Sequence, residues 1–422
     1  MSAPIRILYM DLAPFPGGSV ISLAHLVGGL DRARWQPMVV LSAQNGFAGF
    51  EGMGVPVARV RTPQWERLAG GGEDEGEEMG ETKSGSVAAF MRSGRYRRKF
   101  WRMGGEVRHW QRDVLPVARA LRPIIRAFQP QLIHLNDAIP LVRPGILAAR
   151  WTHTPVINHS RSFVLPNALD RRWLLPSLQG MIFISEAVAR AQLQGISSSP
   201  ATRVIPNPVD LAAFQQPVDR GAVRRELGIP EDAPLVGMVG RLVPWKGQHI
   251  FIEALARLQG ECPRVHGLIV GDADSRQGRA YKNQLLARSR ELGVEDRLHW
   301  AGHRTDLPRV LAALDALAHC SVEPEPFGRV IIEGMAAGVP VVGSRAGGVV
   351  EIIEDGVNGL LTRPGDAEAL ARALARLLND PPLRETLAEN GRRTVIQRYT
   401  VEAHVRAVTR FYEALQQNYR IW

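Results

Sequence analysis

Cysteine and lysine are both scarce in this chain of 422 residues. The two cysteines, Cys262 and Cys320, are too few for a disulfide framework, and they do not form a C-x-x-C pair, which disfavours thiolate zinc sites. So little cysteine is typical of a reducing compartment, and we expect a cytoplasmic protein. Lysine occurs four times against 48 arginines. A lysine is therefore an unusual choice at any position of this chain.

Long apolar runs and several well-known motifs are also missing. No stretch reaches the ~18 apolar residues of a membrane-spanning helix, and the N-terminal "IRILYM" predicts a buried strand rather than a signal peptide. The chain has no G-x-x-x-x-G-K-[ST], and "APFPGGS" stands where a dehydrogenase would carry G-x-G-x-x-G. H-E-x-x-H and G-x-S-x-G are absent too. With no metal-binding cluster visible, neither a metal nor a cofactor is expected.

Positive charge predominates in this sequence, with a net charge of +10 and a pI near 10.2. Such a balance favours an anionic partner, although a general preference for arginine would also explain the total. The charge is unevenly placed. Residues 69–86 combine glycines with six acids and predict a mobile loop, whereas residues 91–128 carry 11 basic residues against two acids.

The basic segment 91–128 also contains aromatic residues, namely Phe100, Trp101 and Trp110. Basic residues interleaved with Trp and Phe favour a segment that lies on an anionic membrane surface, on the inner face of the membrane. The solvated face of a core helix is the main alternative. Nucleic acid is a further one, and we do not expect it as a partner.

Short apolar runs alternate with helical patterns along both halves of the chain. Predicted strands in the first half are "IRILYM", "QPMVVLS", "QLIHLND", "PVINHS" and "GMIFIS"; those in the second half include "LVGMVG", "RVHGLIVGD", "RLHWAG" and "ALAHCS". Continuous apolar strands separated by helices predict parallel sheets covered on both faces, hence two doubly wound α/β domains. The Ser- and Pro-rich stretch 197–219 predicts the linker.

Residues 323–344, "EPEPFGRVIIEGMAAGVPVVGS", hold the most informative motif. A loop after a strand leads into a helix, and ligands of α/β sheets bind beyond the carboxyl ends of strands. The backbone N–H groups of Phe327 and Gly328 are expected to open that helix and attract phosphate. Glu325 and Glu333, eight residues apart, supply carboxylates that accept hydrogen bonds from sugar hydroxyls.

A second candidate element is "GRLVPWKGQ", which follows the strand "LVGMVG". Arg241 and Lys246 lie five residues apart in this loop, so the two cations can hold a diphosphate. An ordinary solvated turn is the alternative for such a pair taken alone.

Four segments together resemble glycosyltransferase family 4. They are "GRLVPWKGQ", "LIVGD", "IPNPVDLAAF" and "EPFGRVIIEGMAAGVPVVGSRAGGVVEIIEDGVNGLL", and the resemblance runs from about residue 200 to 398. It implies the GT-B fold, α/β with two doubly wound Rossmann-like domains facing across a cleft. The implied domains are an acceptor-binding one over 1–200 and a nucleotide-sugar-binding one over 201–398. A C-terminal helix within 399–422 is expected to pack back on the first domain.

The resemblance also implies roles for single residues. Arg241 and Lys246 would bind the donor diphosphate and stabilise its departing charge. Glu325 would hold hydroxyls of the donor sugar and Glu333 those of the ribose, with backbone donors from Phe327 and Gly328. Gly17 and Gly18 would let the N-terminal loop approach phosphate or acceptor closely, and Arg304 in the "GHRTDL" turn would lie near the base.

The strand "PVINHS" offers His159 where family members often place a histidine, and Arg161 falls near the same register. Either side chain could face the reacting sugar, and a structural core histidine is the alternative for His159. The function that this resemblance implies is a retaining transfer of sugar from a nucleotide-sugar to a hydroxyl of a glycan or lipid-linked acceptor in cell-envelope polysaccharide or lipopolysaccharide synthesis. A nucleotide-sugar epimerase of the same fold and a non-catalytic sugar-nucleotide-binding scaffold are the alternatives.

Overall fold

A computed structural model describes residues 3–63, 103–196, 200–216, 218–273 and 275–419. The predicted acidic loop 69–86 and the first part of the basic segment, 91–102, lie outside these ranges. The chain divides into two compact units. The first comprises Met1–Ile205 together with Val405–Trp422, and the second comprises Pro206–His404.

The first unit is built on a sheet of seven strands. These are β1 (Ile5–Asp11), β2 (Trp35–Ser42), β3 (Val57–Val60), β4 (Leu132–Asn136), β5 (Val156–Ser160), β6 (Gly180–Phe183) and β7 (Ala201–Val204). Their order across the sheet is β3-β2-β1-β4-β5-β6-β7, and every pairing is parallel. All five residues of β4 and of β5 are buried, as expected for central strands of a sheet covered on both faces.

The second unit contains a parallel sheet of six strands. These are β8 (Leu235–Val239), β9 (His266–Val270), β10 (Leu298–Gly302), β11 (Ala316–His319), β12 (Val341–Ser344) and β13 (Leu360–Thr362). Their order is β10-β9-β8-β11-β12-β13. In both sheets the order reverses beside the first strand, which is the point where α/β sheets bind ligands. The predicted pair of doubly wound α/β domains is therefore confirmed.

Helices connect the strands in both units. In the first unit they are α1 (Gly18–Gly28), α2 (Gly49–Gly52), α3 (Met103–His109), α4 (Leu115–Phe128), α5 (Ile139–Thr152) and α6 (Glu186–Leu193). In the second they are α7 (Leu211–Gln215), α8 (Arg220–Glu226), α9 (Gln248–Leu258), α10 (Arg276–Glu291), α11 (Leu307–Ala312), α12 (Arg329–Ala336), α13 (Val349–Ile352), α14 (Ala367–Asn379) and α15 (Pro381–Arg398). The last helix is α16 (Val401–Tyr419).

The predicted linker 197–219 contains the boundary between the two units, and it also holds β7 and α7. β7 is a short strand at the edge of the first sheet and pairs with β6 alone among the described strands. Asp210 caps α7 by accepting a hydrogen bond from the N–H of Ala212. The boundary between the units falls after Ile205, five residues beyond the predicted end of the first domain at 200.

Helix α4 belongs to the core of the first unit. Its buried side chains are Val117, Ala118, Leu121 and Ile125, whereas Arg119 and Arg126 are exposed. This part of the basic segment is thus an amphipathic core helix with a solvated basic face, the alternative raised for 91–128. Within the described residues, no helix combines the length and the apolar character needed to cross a bilayer.

Helix α16 returns the chain to the first unit. From Val405 onward its residues belong to that unit, and Val408, Tyr412 and Leu415 are almost fully buried. Gly180 on β6 makes room for it, since a Cβ there would lie 2.7 Å from the ring of Phe411. The first unit is therefore completed by residues that lie 200 or more positions after Ile205.

Candidate functional site

Two glycines bring together the loops that follow β8, β9 and β11. A Cβ on Gly247 would lie 2.0 Å from the carbonyl oxygen of Cys320, and one on Gly271 would lie 2.0 Å from that of Gly240. Both glycines also have positive φ, 79° and 140°, so other residues would be strained there. Backbone packing at this edge of the sheet thus requires glycine at both positions.

Glu325 is the centre of a polar cluster at this edge. Its Oε1 accepts a hydrogen bond from Nζ of Lys246 at 2.6 Å. Its Oε2 lies 2.5 Å from Nε2 of His319 and accepts from Oγ of Ser321 at 2.9 Å. His319 ends β11 and is buried, and the side chains of Lys246 and Glu325 are only 16% and 12% exposed.

The same neighbours control the ionisation of Glu325. Burial by itself raises the pKa of this carboxyl group, but the charges of His319 and Lys246 and the hydrogen bonds they donate outweigh it and hold the pKa far below its ordinary value. Glu325 is therefore a carboxylate at any physiological pH. An ionised carboxylate has several lone-pair sites and can accept further hydrogen bonds.

Lys246 is positioned by the loop after β8. A 3₁₀ turn over Pro244–Lys246 leads through Gly247 into α9, and Nζ of Lys246 lies 4.4 Å from the centre of the Trp245 ring. Arg241 begins the same loop with an exposed side chain. The buried side chain of Gln248 donates to the carbonyl oxygen of Arg241 at 2.8 Å, which fixes the backbone at that end.

Helix α12 begins two residues after the predicted turn residue Phe327. Gly328 has φ 106° and precedes the helix, so the first helical residue is Arg329. The Phe327 side chain is buried and packs edge-to-face on Tyr399. Glu333 lies one turn into α12 and accepts from Arg329 at 3.1 Å. Because the first N–H groups of a helix have no partner within it, this end of α12 can receive an anion.

A loop after β12 supports the Glu325 loop from behind. The N–H of Gly348 donates to the carbonyl oxygen of Glu325 at 2.8 Å. Gly347 has φ 63°, and a Cβ there would lie 2.2 Å from the same oxygen. A Cβ on Gly348 would meet the carbonyl oxygen of Pro326 at 2.5 Å. The "RAGG" sequence therefore sets the position of the Glu325 loop.

Arg304 follows β10 and is held by carboxylates. Its guanidinium donates to Asp306 at 2.8 Å and also to Glu226 on α8. These hydrogen bonds raise the pKa of Arg304 above its ordinary value. Its fork of donors is thus largely engaged with acids of the second unit itself.

The first unit carries a separate polar cluster where β1, β4 and β5 end. Nε of Arg161 donates to Oδ1 of Asn136 at 2.5 Å, and Nδ2 of Asn136 donates to Asp11 at 2.6 Å. His159 is fully buried on β5, with its Nδ1 3.2 Å from His134 and 3.4 Å from Arg161. The structure thus places His159 and Arg161 side by side.

Asp137 adds a strained and perturbed carboxyl group to this cluster. Its φ of 146° is rare for a residue with a side chain. Burial, and then the nearby charge of Asp11, raise the pKa of Asp137 to about 6. Strain and perturbed ionisation together are typical of functional positions.

Gly17 and Gly18 stand at the start of α1, beside this cluster. Gly17 precedes the helix in an extended conformation, and a Cβ there would meet nothing within 4 Å. Neither φ nor packing within the chain therefore requires glycine at position 17. Asn136 also donates to the carbonyl oxygen of Ser19 at 3.2 Å, which ties α1 to β4.

Two family models match successive parts of the chain. The model described as Glycosyltransferase Family 4 matches residues 76–213, and the model described as Glycosyl transferases group 1 matches residues 219–394. The chain belongs to the GT-B glycosyltransferases of the family 4 type. The resemblance inferred from the sequence motifs is thereby confirmed.

Individual relatives of this family 4 chain agree with that assignment. It is 40% identical over 180 residues to the lipopolysaccharide core biosynthesis glycosyltransferase LpsE of Rhizobium meliloti (strain 1021). The aligned region covers 43% of this chain and 50% of that protein. It is 30% identical over 286 residues to a D-inositol 3-phosphate glycosyltransferase of Corynebacterium urealyticum, covering 63% and 66% respectively. The chain spans about half the length of LpsE and about two thirds of the length of the Corynebacterium urealyticum protein.

A solved structure extends the likeness to the whole fold. The crystal structure of Anabaena Alr3699/HepE, in complex with UDP and glucose, has a TM-score of 0.76 and 27% sequence identity. The alignment covers 97% of this chain and all of that one. The GT-B architecture of this family 4 chain is therefore shared over both units.

The predicted site residues of this family 4 chain fall into two groups. Arg241, Lys246, Arg304, Glu325, Phe327, Gly328 and Glu333 lie in the second unit; Gly17, Gly18, His159 and Arg161 lie in the first. Lys246 and Glu325 are in direct contact, and Arg304 is bonded to its own acids. The roles assigned to these residues remain predictions.

Sequence reasoning missed His319, Ser321 and the glycine pair Gly347–Gly348. His319 and Ser321 end "ALAHCS", immediately before the glutamate loop, so their place at a strand's carboxyl end was the available signal. The glycine pair had no such signal, because its contact with Glu325 depends on how neighbouring loops pack. No group of His, Cys, Asp and Glu suited to a metal ion occurs in the part of this family 4 chain that the structure describes.

Proposed function

We propose that this chain transfers a sugar from a nucleotide-sugar donor to a hydroxyl of a glycan or lipid-linked acceptor, with retention of configuration, in lipopolysaccharide core or similar envelope synthesis. The observation that carries the proposal is the contact between Lys246 and Glu325 beside the start of α12. It puts a cation, a carboxylate and a helix N-terminus at one edge of a sheet. A nucleotide-sugar needs these three groups, since it is a diphosphate carrying hydroxyl-rich sugars.

Lys246 and Arg241 are the proposed diphosphate-binding cations. When the sugar–phosphate bond breaks, positive charge develops on the sugar and negative charge on the diphosphate. Preorganised cations and helix N–H groups stabilise that negative charge without reorganising at the moment of reaction. Lys246 is already held in place by Glu325 and Trp245, so little ordering is required of it when the donor binds.

Glu325 is the proposed partner of the donor sugar. Its carboxylate is ionised and held on both oxygens by Lys246, His319 and Ser321. These contacts leave lone pairs that can accept from sugar hydroxyls. They also make Glu325 a weak nucleophile, because a strongly stabilised carboxylate is a poor base. Retention is then best explained by attack of the acceptor from the face that the diphosphate leaves, with the leaving phosphate taking the proton.

The remaining predicted site residues of the second unit are proposed to bind the nucleoside and its phosphates. Glu333, one turn into α12, is proposed to accept from the ribose hydroxyls, with Phe327 and Gly328 offering backbone donors to phosphate. Arg304 is the proposed neighbour of the base. Since Asp306 and Glu226 already engage its guanidinium, we expect Arg304 to shape that end of the site rather than to bind charge there.

In the first unit, His159 or Arg161 is proposed to face the reacting sugar, and Gly17 and Gly18 to admit phosphate or acceptor. A lipid-linked acceptor on an anionic membrane surface is supported by exposed apolar side chains after β5. Leu165, Leu169 and Trp173 are more than a third exposed, and Arg172 lies 5.8 Å from the Trp173 ring. Basic residues beside exposed Trp and Leu suit a membrane interface.

The test begins with a thermal-shift screen of UDP-, GDP- and ADP-sugars. A donor at 100 times its Kd should stabilise the protein by ~2.7 kcal/mol. The stabilising donor is then incubated with lipid-linked glycan acceptors, and the anomeric configuration of the product is read by NMR. Transfer with retention is expected. An inverted product would refute the proposed stereochemistry. Isomerised donor without acceptor would indicate an epimerase, and binding without turnover across the acceptor panel would indicate a scaffold.

A further inference from the structure

A chain of hydrogen bonds crosses the core of the first unit from the C-terminal helix to Arg161. The hydroxyl of Tyr412 on α16 lies 2.5 Å from Nδ1 of His134, and Nε2 of His134 lies 3.2 Å from Nδ1 of His159. Nδ1 of His159 also lies 3.4 Å from a guanidinium nitrogen of Arg161. Tyr412, His134 and His159 are all completely buried, so water does not compete for these contacts.

Arg161 and Tyr412 together indicate the direction of this chain. A guanidinium has only donors, so the long contact to Arg161 favours Nδ1 of His159 as an acceptor without a hydrogen. The hydrogen between the two imidazoles then belongs to Nε2 of His134. In a neutral ring the other nitrogen accepts, so Nδ1 of His134 takes the proton of the Tyr412 hydroxyl.

The properties of Tyr412 agree with this direction. Burial, followed by the proximity of Tyr9, raises the pKa of Tyr412 well above its ordinary value, so the hydroxyl keeps its proton. That hydroxyl is also placed to donate to the hydroxyl of Tyr9 at 3.4 Å, which is the competing use of its single proton. The contact to His134 is 0.9 Å shorter, and a single proton is best placed in the shorter hydrogen bond.

The rings around His134 leave it little freedom to rotate. Its centroid is 5.2 Å from that of Tyr9, 5.3 Å from that of His159 and 5.9 Å from that of Tyr412. The Tyr412 ring stands almost perpendicular to it, at 88°. A ring flip that would exchange the two nitrogens of His134 is therefore blocked by packing as well as by hydrogen bonding.

We propose that Tyr412 and His134 are positioning residues that, together with the contact to Arg161, hold His159 as the neutral tautomer with its hydrogen on Nε2. His159 then acts as a hydrogen-bond donor through Nε2, never as a base through that nitrogen. The C-terminal helix thereby determines the chemistry of a residue on β5. The link to catalysis rests on the proposed sugar transfer; the tautomer itself does not.

The tautomer is tested on the full chain labelled with ¹⁵N-histidine. Long-range ¹H–¹⁵N spectra distinguish a protonated Nε2 from a protonated Nδ1. Both His134 and His159 are expected as pure Nε2–H forms in the unmodified protein. An Nδ1–H form of His159, or a mixture of the two forms, would overturn the proposal.

The positioning role is tested with Tyr412→Phe. Without the hydroxyl, Nδ1 of His134 loses its donor, so the spectrum of His134 should show both tautomers, and that of His159 should broaden or split. We expect kcat of sugar transfer to fall by about threefold to tenfold, the worth of one hydrogen bond, with KM for the donor nearly unchanged. Unchanged tautomers together with unchanged kcat would refute the role.

Tyr281→Phe is the matched control. Its hydroxyl lies 2.9 Å from Nδ1 of His249 in the second unit. The variant therefore removes an equivalent Tyr–His contact away from the Tyr412–His134–His159 chain. That variant should alter the spectrum of His249 alone and leave kcat unchanged. If no donor and acceptor give turnover while His159 shows the expected tautomer, the proposed function fails and the tautomer assignment stands. Thermal unfolding of both variants checks that each remains folded.

Discussion

Glu325 shows how much one side chain depends on its neighbours. A carboxylate that is 12% exposed is costly unless it is paired and hydrogen-bonded. Lys246, His319 and Ser321 supply that pairing. Lys246 comes from the loop after β8, His319 from the end of β11 and Ser321 from the loop that follows it. The cluster is consequently ready before any donor arrives, which is the condition for electrostatic catalysis.

Lys246→Ala should lower kcat of sugar transfer by well over tenfold, because the departing diphosphate loses its best-placed cation. Each tenfold loss corresponds to ~1.4 kcal/mol of transition-state stabilisation. Steady-state kinetics measure the loss, and circular dichroism verifies the fold. Lys282→Ala is the control, since Lys282 pairs with Asp272 at 3.2 Å outside the Glu325 cluster. Turnover near that of the unmodified protein in Lys246→Ala would contradict charge stabilisation by this residue.

Glu325→Gln should change how stability depends on pH. The folded-state pKa of Glu325 is depressed, so its ionised form contributes stability above its ordinary pKa of about 4.3, and this contribution is lost as pH falls further. Urea unfolding from pH 7 down to pH 3 should therefore show a gap between unmodified protein and variant that is constant above about pH 5 and shrinks in acid. A gap independent of pH would argue against a depressed pKa.

Glu389→Gln provides the comparison for that experiment. Glu389 pairs with Arg393 on α15, and both side chains are more than half exposed. Water screens such a pair, so the expected gap is small at every pH.

The loops at the carboxyl end of the second sheet form a packed layer. Glycines make this packing possible. A Cβ would strike the backbone of another loop at four of them, Gly247, Gly271, Gly347 and Gly348, and Gly240 carries the carbonyl oxygen that a Cβ on Gly271 would meet. These contacts couple the lysine loop to the end of β11 and the "RAGG" loop to Glu325. A change in one loop is therefore transmitted to the position of the carboxylate.

Gly347→Ala should destabilise the second unit more than Gly356→Ala does. Both glycines have positive φ, 63° and 77°, so each substitution costs ~1–2 kcal/mol in strain. A Cβ at Gly356 meets nothing within 4 Å, whereas one at Gly347 lies 2.2 Å from the carbonyl oxygen of Glu325. Urea unfolding gives the difference. The donor-dependent thermal shift should also fall in Gly347→Ala alone. Equal losses in the two variants would show that the loop contact is unimportant.

At the scale of the whole molecule, the two units differ in how the chain builds them. The second unit is continuous, from Pro206 to His404, with its own apolar core. The first unit needs α16 as well as residues up to Ile205. Completion of the first unit therefore waits until α16 has been made.

Ending the chain at His404 should unfold the first unit and spare the second. The deletion exposes the surface that Val408, Phe411, Tyr412 and Leu415 cover. Burying one large apolar side chain stabilises a fold by ~1.5–3 kcal/mol. The loss of all four therefore rivals the ~5–15 kcal/mol free energy of unfolding of a domain. Calorimetry should show one transition instead of two, matching that of an isolated 206–404 fragment. Two unchanged transitions in the shortened chain would contradict this view of α16.

The sequence by itself determined the parallel α/β architecture, since runs such as "LVGMVG" and "QLIHLND" report buried central strands directly. It also located the two loops of the candidate site and the family. It did not reveal β3, β7 or β13, which are short edge strands with weak apolar patterning. It also did not show that α4, in the second part of the basic segment, packs into a core. The membrane role of that segment stays a prediction.

Only the tertiary structure decided which side chains meet. Lys246 and Glu325 are 79 positions apart, and Tyr412 and His134 are 278 apart. Periodicity along a chain reports how deeply a residue is buried, because burial repeats with the helix or strand. A partner across the fold depends on strand order and on which loops carry glycine, and neither leaves a local pattern. That is why the contact of Gly347 and Gly348 with the Glu325 loop and the Tyr412–His134 contact emerged from packing alone.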